Sequence, residues 1–204
     1  MVEPPVPDMR ARLVAALTQP GTATSDFDHH PDLTLPPGRV LRPAGVLVLV
    51  APEGPLGPSV WLTKRASGLR HHPGQIAFPG GKVDPCDDGP IGAALREARE
   101  EIGLPGAALE VLGTLPPHET VTGFQVTPVL ACQTAGFSPA AEAGEVDEVF
   151  TVPLTHLTNL SRYRVERRRW RGVWRHYDVV PWGPYYIWGA TARMLRALAL
   201  RLAP

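Results

Sequence analysis

"GGKVDPCDDGPIGAALREAREEIGL", residues 80–104, joins a double glycine to an acidic, proline-broken loop and then to a helical pattern. The predicted helix starts after Asp87 and Asp88, has Pro90 in its first turn and ends at Gly103. Proline near the first turn and glycine just past the last are typical boundaries of an α-helix. This stretch therefore predicts one well-bounded helix directly after a glycine-rich loop.

The predicted helix carries one apolar stripe with three glutamates at its edge. The stripe consists of Ile91, Ala94, Leu95, Ala98 and Ile102. Glu97, Glu100 and Glu101 fall in an arc of about 100° beside it. Like charges at this spacing destabilise a helix by about 0.2–0.5 kcal/mol per pair. Two interpretations remain open here: surface ion pairs with Arg96 and Arg99, or a carboxylate site for Mg²⁺ or Mn²⁺, ions that also take phosphate oxygens.

Composition limits the class of protein. The chain has 204 residues, of which 44% are hydrophobic, which predicts one substantial core and one domain with appendages. Twenty acidic residues balance twenty basic ones, so no overall field indicates nucleic acid, a membrane surface or an acidic partner. Cys86 and Cys132 have neither metal-ligand nor redox spacing, and the N-terminus has no secretory pattern, so we expect a cytoplasmic protein.

The pattern along the chain predicts an extension followed by a domain. Residues 1–40 are expected to form a proline-rich start, a short helix around residues 13–17 and a polar stretch that is either an ordered wrap or a loose linker. Residues 41–204 are expected to form the domain. Strands are predicted at 44–50, 59–65, 109–115, 125–132 and 149–152, with a hairpin near Gly172 and a final amphipathic helix over 185–202. The order predicts an α/β fold with a mixed β-sheet.

The acidic helix has a recognisable context. From Gly81, five residues lead to Asp87 and eight more to Arg96, where the string REAREEIGL begins. This arrangement resembles the signature box of the Nudix hydrolases. The family usually has glutamate where Asp87 stands, and its gap to the arginine is one residue shorter. The resemblance implies a Nudix-type α/β/α sandwich and a divalent cofactor, Mg²⁺ or Mn²⁺.

The resemblance also implies roles for the helix residues. Glu97 and Glu101 are the expected metal ligands, and Glu100 is either a further ligand or a proton acceptor. Arg96 is expected to orient the glutamates by ion pairing rather than to contact substrate. Substituting glutamine for Glu97 or Glu101 is expected to abolish turnover and leave the fold intact.

The segment directly upstream, LTKRASGLRHHPGQIAFPGG at residues 62–81, resembles the segment that marks the coenzyme A pyrophosphatases among the Nudix hydrolases. The matching residues are Leu62, Thr63, Arg65, Ala66, Arg70, Gly74, Phe78, Pro79, Gly80 and Gly81. Arginine forks suit phosphate oxygens, and glycines let backbone amides approach an anion, although a glycine-rich connection with solvated arginines is the alternative. The substrate-binding residues implied by the resemblance are Arg65, Arg70, Gly74, Phe78, Gly80 and Gly81. Similar stretches recur as TGFQVTPVLA, EVDEVFTVPL and IWGATARML, so the resemblance covers about residues 40–200.

A general base is also expected, because the attacking water must lose a proton. Glu145 is the preferred candidate since its position matches a glutamate of the subfamily, and Glu119 is the reserve. For each, an exposed loop carboxylate without function is the alternative interpretation.

Other polar residues have weaker functional signals. At most one of the adjacent histidines His71 and His72 is expected to face a ligand. His29 and His30 have no partner that the sequence identifies. Residues 162–177 mix arginines with aromatic residues, a pattern that predicts a hairpin with one wet and one packed face rather than a nucleic-acid contact.

Taken with the resemblance, these residues predict a metal-dependent enzyme that hydrolyses the pyrophosphate bond of coenzyme A or its thioesters to 3′,5′-ADP and 4′-phosphopantetheine. Two alternatives stay open: a Nudix hydrolase of another nucleoside diphosphate derivative, such as ADP-ribose or NADH, and a non-catalytic nucleotide-binding module. The expected partner is a small molecule, with no nucleic acid and no membrane, and the expected assembly is a monomer or homodimer.

Overall fold

The computed structural model of the protein describes residues 8–30, 35, 38–170 and 172–203. The helices are α1 (Met9–Thr18), α2 (Gly89–Ile102), α3 (Leu154–Leu157) and α4 (Gly189–Leu202). The strands are β1 (Thr24–Ser25), β2 (Arg42–Ala51), β3 (Ser59–Arg65), β4 (Ile76–Ala77), β5 (Gly80–Lys82), β6 (Leu109–Thr114), β7 (His118–Glu119), β8 (Phe124–Gln133), β9 (Val146–Pro153), β10 (Arg164–Trp170) and β11 (Val173–Val179).

One mixed sheet organises the domain, as the sequence predicts. Its hydrogen-bonded order is β1-β7-β8-β2-β3-β4, while β5 pairs with β2, β6 with β8 and β9 with β3. Strand β2 runs parallel to β8 and antiparallel to β3 and β5. The hairpin predicted near Gly172 is also confirmed, because β10 and β11 form a separate antiparallel ribbon.

Helices cover both faces of the sheet. Leu47 and Leu49 of β2 are fully buried in a cluster with Ala94, Leu95, Ala98 and Ile102 of α2, whereas Ile91 of the predicted stripe is exposed. The alternate residues Val48 and Val50 are buried in a second cluster that contains Leu195 and the rest of the inner face of α4. A strand buried on both faces has a continuous apolar run rather than an alternating one, which explains the sequence of β2. The expected α/β/α layering is confirmed.

The C-terminal helix starts later than predicted. The sequence predicts a helix from Tyr185, but α4 begins at Gly189. Before it the chain is extended: the Val180 amide donates to the Ile187 carbonyl over 2.9 Å, and Trp182 and Tyr185 exchange backbone hydrogen bonds of 2.9 Å. The apolar residues of this extended segment happen to continue the helical spacing of α4. The predicted start of the helix is therefore wrong.

The N-terminal helix is confirmed as α1, and the residues after it form a segment that we call the N-terminal hook, residues 20–30. Within the hook, β1 pairs in parallel with β7. The structure gives His29 and His30 the partners that the sequence did not identify. The His29 Nε2 atom lies 2.9 Å from Asp178 Oδ2, and the His176 amide donates to His30 Nε2 over 3.0 Å. Residues 31–34, 36 and 37 of the predicted polar stretch lie outside the described residues.

Within the described ranges, none of the helices combines the length and the apolar character needed to cross a membrane.

Candidate active site

Helix α2 is fixed at both ends by glycines. At its C-terminus Gly103 adopts a left-handed conformation with φ of 67°, and its amide donates to the Arg99 carbonyl over 3.1 Å. Such left-handed caps suit glycine because it has no Cβ. At the other end, a Cβ on Gly45 of β2 would overlap the Pro90 carbonyl. Glycine in this strand therefore lets the first turn of α2 lie directly on the sheet.

The three glutamates of α2 differ sharply in exposure. The side chain of Glu101 is 5% exposed, that of Glu97 is 17% exposed and that of Glu100 is 55% exposed. The helix therefore presents one carboxylate under the adjacent loop, one at its rim and one in solvent.

Glu101 lies beneath the double glycine and the end of β3. The Gly80 amide donates to Glu101 Oε2 over 3.1 Å, and Arg65 Nη1 lies 4.0 Å from Glu101 Oε1. The pKa of Glu101 is raised from 4.5 to about 7, chiefly by burial and also by the charges of Glu97 and Glu145, against the lowering effects of the Gly80 amide and of Arg65. A second positive charge beside this carboxylate would hold it ionised.

Glu97 rests against the second glycine of the pair. A Cβ built on Gly81 would lie less than 3.0 Å from Glu97 Oε1, which is closer than Cβ atoms approach other atoms in real structures. The pKa of Glu97 is raised, chiefly by burial. The charges of Glu100 and Glu145 also raise it, whereas Arg96 lowers it. Glu97 and Glu101 are therefore two carboxylates whose charged forms this site disfavours.

Arg96 joins the acidic residues of the site. Its Nε atom donates to Asp87 Oδ1 over 2.9 Å and its Nη2 atom to Asp87 Oδ2 over 3.0 Å. Its Nη1 atom lies 3.0 Å from both Glu97 Oε1 and Glu100 Oε2. These bonds to Arg96, together with the Asp84 amide, hold the pKa of Asp87 below its usual range. The shorter acid at position 87 thus serves as the anchor of Arg96.

Sequence reasoning missed Asp84, which stands in the acidic loop with no motif of its own. Its Oδ2 atom lies 3.8 Å from Arg96 Nη2, and its Oδ1 atom lies 3.2 Å from Lys82 Nζ. The DPCDD string around it was the available signal, because an acidic loop beside an arginine-rich helix indicates local pairing.

The donor set of this site fits a hard divalent cation. Its oxygens are carboxylates, the ligands that Mg²⁺ and Mn²⁺ prefer, and burial of Glu97 and Glu101 leaves negative charge that a cation would stabilise. Among the described residues, no three acidic, histidine or cysteine side chains are arranged around one point as ligands. The structure instead has the arginine-paired arrangement, in which Arg96 bonds both Glu97 and Glu100.

The loop of residues 66–79, which we call the upstream loop, is fastened from three sides. The Ala66 amide donates to the Glu145 carbonyl over 2.8 Å. The Ser67 amide and hydroxyl donate to Asp147 Oδ2 over 3.0 and 2.7 Å, and these bonds hold the pKa of Asp147 below its usual range. The Thr191 hydroxyl of α4 donates to the Ile76 carbonyl over 3.0 Å.

Sequence reasoning missed Asp147 and Thr191, which position this loop. Both lie in stretches that matched the subfamily, EVDEVF and IWGATARML, but distances across the fold are not visible in a linear motif.

The residues expected to bind substrate occupy different positions. Arg65 points toward Glu101, whereas Arg70 is exposed on the upstream loop. Gly74 has a φ of 68° in a turn with open space around it. The side chain of Phe78 is buried in the core, so it supports the loop from beneath.

His72 is the residue of the upstream loop that sequence reasoning underrated. Among the described residues, it is the one non-glycine residue with a positive φ, 54°. Burial lowers its pKa, with the positive charge of Arg65 as the next cause. His72 therefore combines a backbone conformation that is uncommon for a non-glycine residue with an imidazole near the charge of Arg65.

The two general-base candidates lie in different surroundings. Glu145 is an exposed residue before β9, and its charge acts on both Glu97 and Glu101. Glu119 lies on β7, which is separated from β5 by β8 and β2, and its carboxylate is paired with Arg39. The structure therefore brings Glu145, and not Glu119, to the glutamates of α2.

Comparison with known proteins adds the following similarities. The NUDIX domain model matches residues 41–181, which span the strands from β2 to β11 and include α2. A protein of an Enterobacter species named uncharacterized Nudix hydrolase NudL is 44% identical over 170 residues, covering 79% of this chain and 83% of that protein. Its namesake from Cronobacter sakazakii is 45% identical over 163 residues, with the same coverage of 79% and 83%.

Solved structures with a similar chain include the crystal structure of a Nudix hydrolase from M. smegmatis, RenU. It has a TM-score of 0.47 and 29% sequence identity, and the match covers 56% of this chain and 72% of that chain.

Proposed function

Because this chain belongs to the Nudix hydrolase family, we propose that it hydrolyses the pyrophosphate bond of coenzyme A or its thioesters, releasing 3′,5′-ADP and 4′-phosphopantetheine. The observation that carries the proposal is the contact between the two sequence motifs. Arg65, from the segment that resembles the coenzyme A pyrophosphatases, lies 4.0 Å from Glu101 of the acidic helix, and the Gly80 amide binds the same carboxylate over 3.1 Å.

Glu97 and Glu101 would hold the divalent ion, Mg²⁺ or Mn²⁺, with Glu100 as a further ligand. A bound ion of this kind neutralises the diphosphate and lowers the pKa of a water molecule. The exposure of the three side chains supports these roles. The two less exposed carboxylates, Glu97 and Glu101, have raised pKa values, whereas Glu100 lies in solvent. Arg96 would act as a positioning residue, because its guanidinium is already hydrogen-bonded to the three carboxylates of Asp87, Glu97 and Glu100.

Residues that flank the upstream loop would bind the phosphates. Arg65 supplies a forked cation at the buried end of the site, and the backbone around Gly80 and Gly81 approaches closely because neither residue has a side chain. Glu145 would accept the proton from the attacking water, and Glu100 is the second candidate for that role. The influence of Glu145 on the pKa values of Glu97 and Glu101 supports its selection.

Arg70 would contact the 3′-phosphate that distinguishes coenzyme A from dephospho-coenzyme A and ADP-ribose. Its exposed position on the upstream loop leaves its guanidinium accessible to a ligand. A guanidinium–phosphate pair is a strong, charge-assisted contact, so its loss should affect one substrate far more than the other.

The test is a comparison of kcat/KM for coenzyme A, dephospho-coenzyme A, ADP-ribose and NADH with Mg²⁺ or Mn²⁺. The proposal expects the native protein to prefer coenzyme A. It also expects Arg70→Gln to reduce that preference over dephospho-coenzyme A by about tenfold, the effect of losing one charged hydrogen-bond pair.

Arg168→Gln is the matched control, because it also removes one positive charge, that of an exposed arginine of β10. A native preference for ADP-ribose or NADH would keep the hydrolase and overturn the coenzyme A assignment. Absence of turnover on all four substrates would favour a non-catalytic nucleotide-binding module.

A further inference from the structure

A cavity of about 210 Å³ lies on the α4 side of the sheet, away from α2. It is bordered by the N-terminal hook, helix α4 and the chain around Leu115 and Pro128. Its apolar wall is formed by Leu115, Pro116, Pro128, Met194 and Leu200. Pockets that bind small molecules are mostly apolar with a few convergent polar groups, and this wall supplies the apolar part.

Three arginines of α4, namely Arg193, Arg196 and Arg201, also line the cavity. Arg193 is paired with Asp28 at 2.6 Å and with Asp178 at 3.4 Å, and Arg196 shares Asp178 at 3.1 Å. Arg193 and Arg196 thus share two carboxylates, and that of Asp178 is 1% exposed. With Arg201 included, three arginines face two carboxylates at the edge of this cavity, so positive charge is in excess there.

Arg201 contributes the excess positive charge. Its Nη1 atom donates to the carbonyls of Ala16 and Gln19 over 3.1 and 2.6 Å. Across the described ranges, no carboxylate lies within 4.0 Å of its guanidinium nitrogens. A Cβ on Gly21 would overlap Arg201 Nη2, so the hook has a glycine where the guanidinium passes against its backbone. The fold therefore holds a guanidinium at the cavity with carbonyl partners and no counter-charge.

We propose that this cavity is a binding site for a small organic anion with a carboxylate head and a short apolar chain. The arginine forks suit a carboxylate, and the apolar wall suits a hydrocarbon tail. The cavity of about 210 Å³ has room for a short-chain carboxylate such as hexanoate. The sheet separates the site from the glutamates of α2, so its ligand is distinct from the pyrophosphate substrate.

The test is a titration of the full-length protein with hexanoate, followed by two-dimensional NMR or calorimetry. Three related compounds serve as probes. Hexanamide lacks the negative charge, inorganic phosphate lacks the hydrocarbon chain, and acetate lacks most of that chain. Two variants attack different parts of the site: Arg201→Gln removes the unpaired charge, and Ala197→Leu fills the cavity from α4 while the arginines remain. Arg168→Gln is the control for loss of an exposed arginine.

The proposal expects saturable binding of hexanoate, with affinity reduced by about tenfold or more in Arg201→Gln and in Ala197→Leu and unchanged in Arg168→Gln. Hexanamide, phosphate and acetate should bind much more weakly. The proposal is overturned if hexanoate does not saturate, if Ala197→Leu binds it normally while folded, or if hexanamide or phosphate binds as tightly. Because an unfolded variant would also lose binding, the thermal unfolding of each variant is measured first.

Discussion

Gly81 lies directly against the Glu97 carboxylate, with no room for a methyl group between them. Glycine at position 81 therefore makes room for a side chain of the acidic helix, in addition to any role that it has in the loop. This contact joins the two halves of the stretch at residues 80–104, because the strand β5 that carries Gly81 packs on the helix that carries Glu97.

Gly81→Ala should displace the Glu97 carboxylate, because the added Cβ would overlap Oε1. A displacement of about 1 Å at a catalytic centre can lower activity about 100-fold, and we expect a loss of that order in kcat/KM. Gly106→Ala is the control, since a Cβ at that position meets no atom within 4 Å and Gly106 is absent from the residues with a positive φ. Equal activity in the two variants would contradict the importance of the Gly81–Glu97 contact.

Glu101 should make the metal-free protein less stable as the pH rises. Its pKa is about 7 in the folded protein against an ordinary value of 4.5, so between these values the folded state retains a proton that the unfolded state has lost. The free energy of unfolding therefore falls with increasing pH across this window.

Glu101→Gln should remove this dependence while keeping an acceptor for the Gly80 amide. We expect the variant to be more stable than the native protein by about 1–3 kcal/mol at pH 7.5 in chelator, yet inactive. Denaturant unfolding at pH 5 and pH 7.5 measures both effects. A variant that is no more stable than the native protein at pH 7.5 would contradict the raised pKa.

Asp87 should control the affinity of the site for its metal through Arg96. The two bonds of 2.9 and 3.0 Å fix the guanidinium that lies against Glu97 and Glu100. Loss of such a supporting partner typically costs about 10- to 100-fold in metal affinity or activity, and we expect that range for Asp87→Asn. Mn²⁺ titration followed by activity or electron paramagnetic resonance measures it.

Asp88→Asn is the matched control for this variant, because the neighbouring Asp88 is exposed and makes no side-chain capping bond to α2. If both variants lost Mn²⁺ affinity equally, general charge rather than the position of Arg96 would explain the effect.

Asp147 should affect substrate binding by fixing the upstream loop. Its Oδ2 atom accepts both the amide and the hydroxyl of Ser67, and the loop is thereby attached to β9. We expect Asp147→Ala to raise KM for coenzyme A with a smaller effect on kcat, because the helix glutamates keep their own contacts. Glu142→Ala removes an exposed carboxylate nearby and should leave both parameters unchanged. A fall in kcat with an unchanged KM would indicate a different role for Asp147.

The parts of this molecule that the sequence could predict are those determined by neighbouring residues. The limits of α2 follow from Pro90 and Gly103, and the arc of glutamates follows from the helical period. The buried strand β2 follows from its uninterrupted apolar run. Local rules failed at Tyr185, where backbone bonds between Val180 and Ile187 extend the chain before α4 begins.

Contacts between distant segments could not be predicted in the same way. Asp178 binds His29, Arg193 and Arg196, and the nearest of these in sequence is fifteen residues away. A linear sequence records which charges exist but not which strand edges bring them together. For that reason the histidines of the N-terminal hook had no identifiable partner until the packing of the hook on β7 and β11 was known.

The most direct measurement is identification by mass spectrometry of the products formed from coenzyme A and Mg²⁺ or Mn²⁺, with native protein and Glu97→Gln side by side. The account predicts 3′,5′-ADP and 4′-phosphopantetheine from the native protein and neither product from the folded variant. Intact coenzyme A after incubation with the native protein and either ion, or equal product from Glu97→Gln, would contradict it.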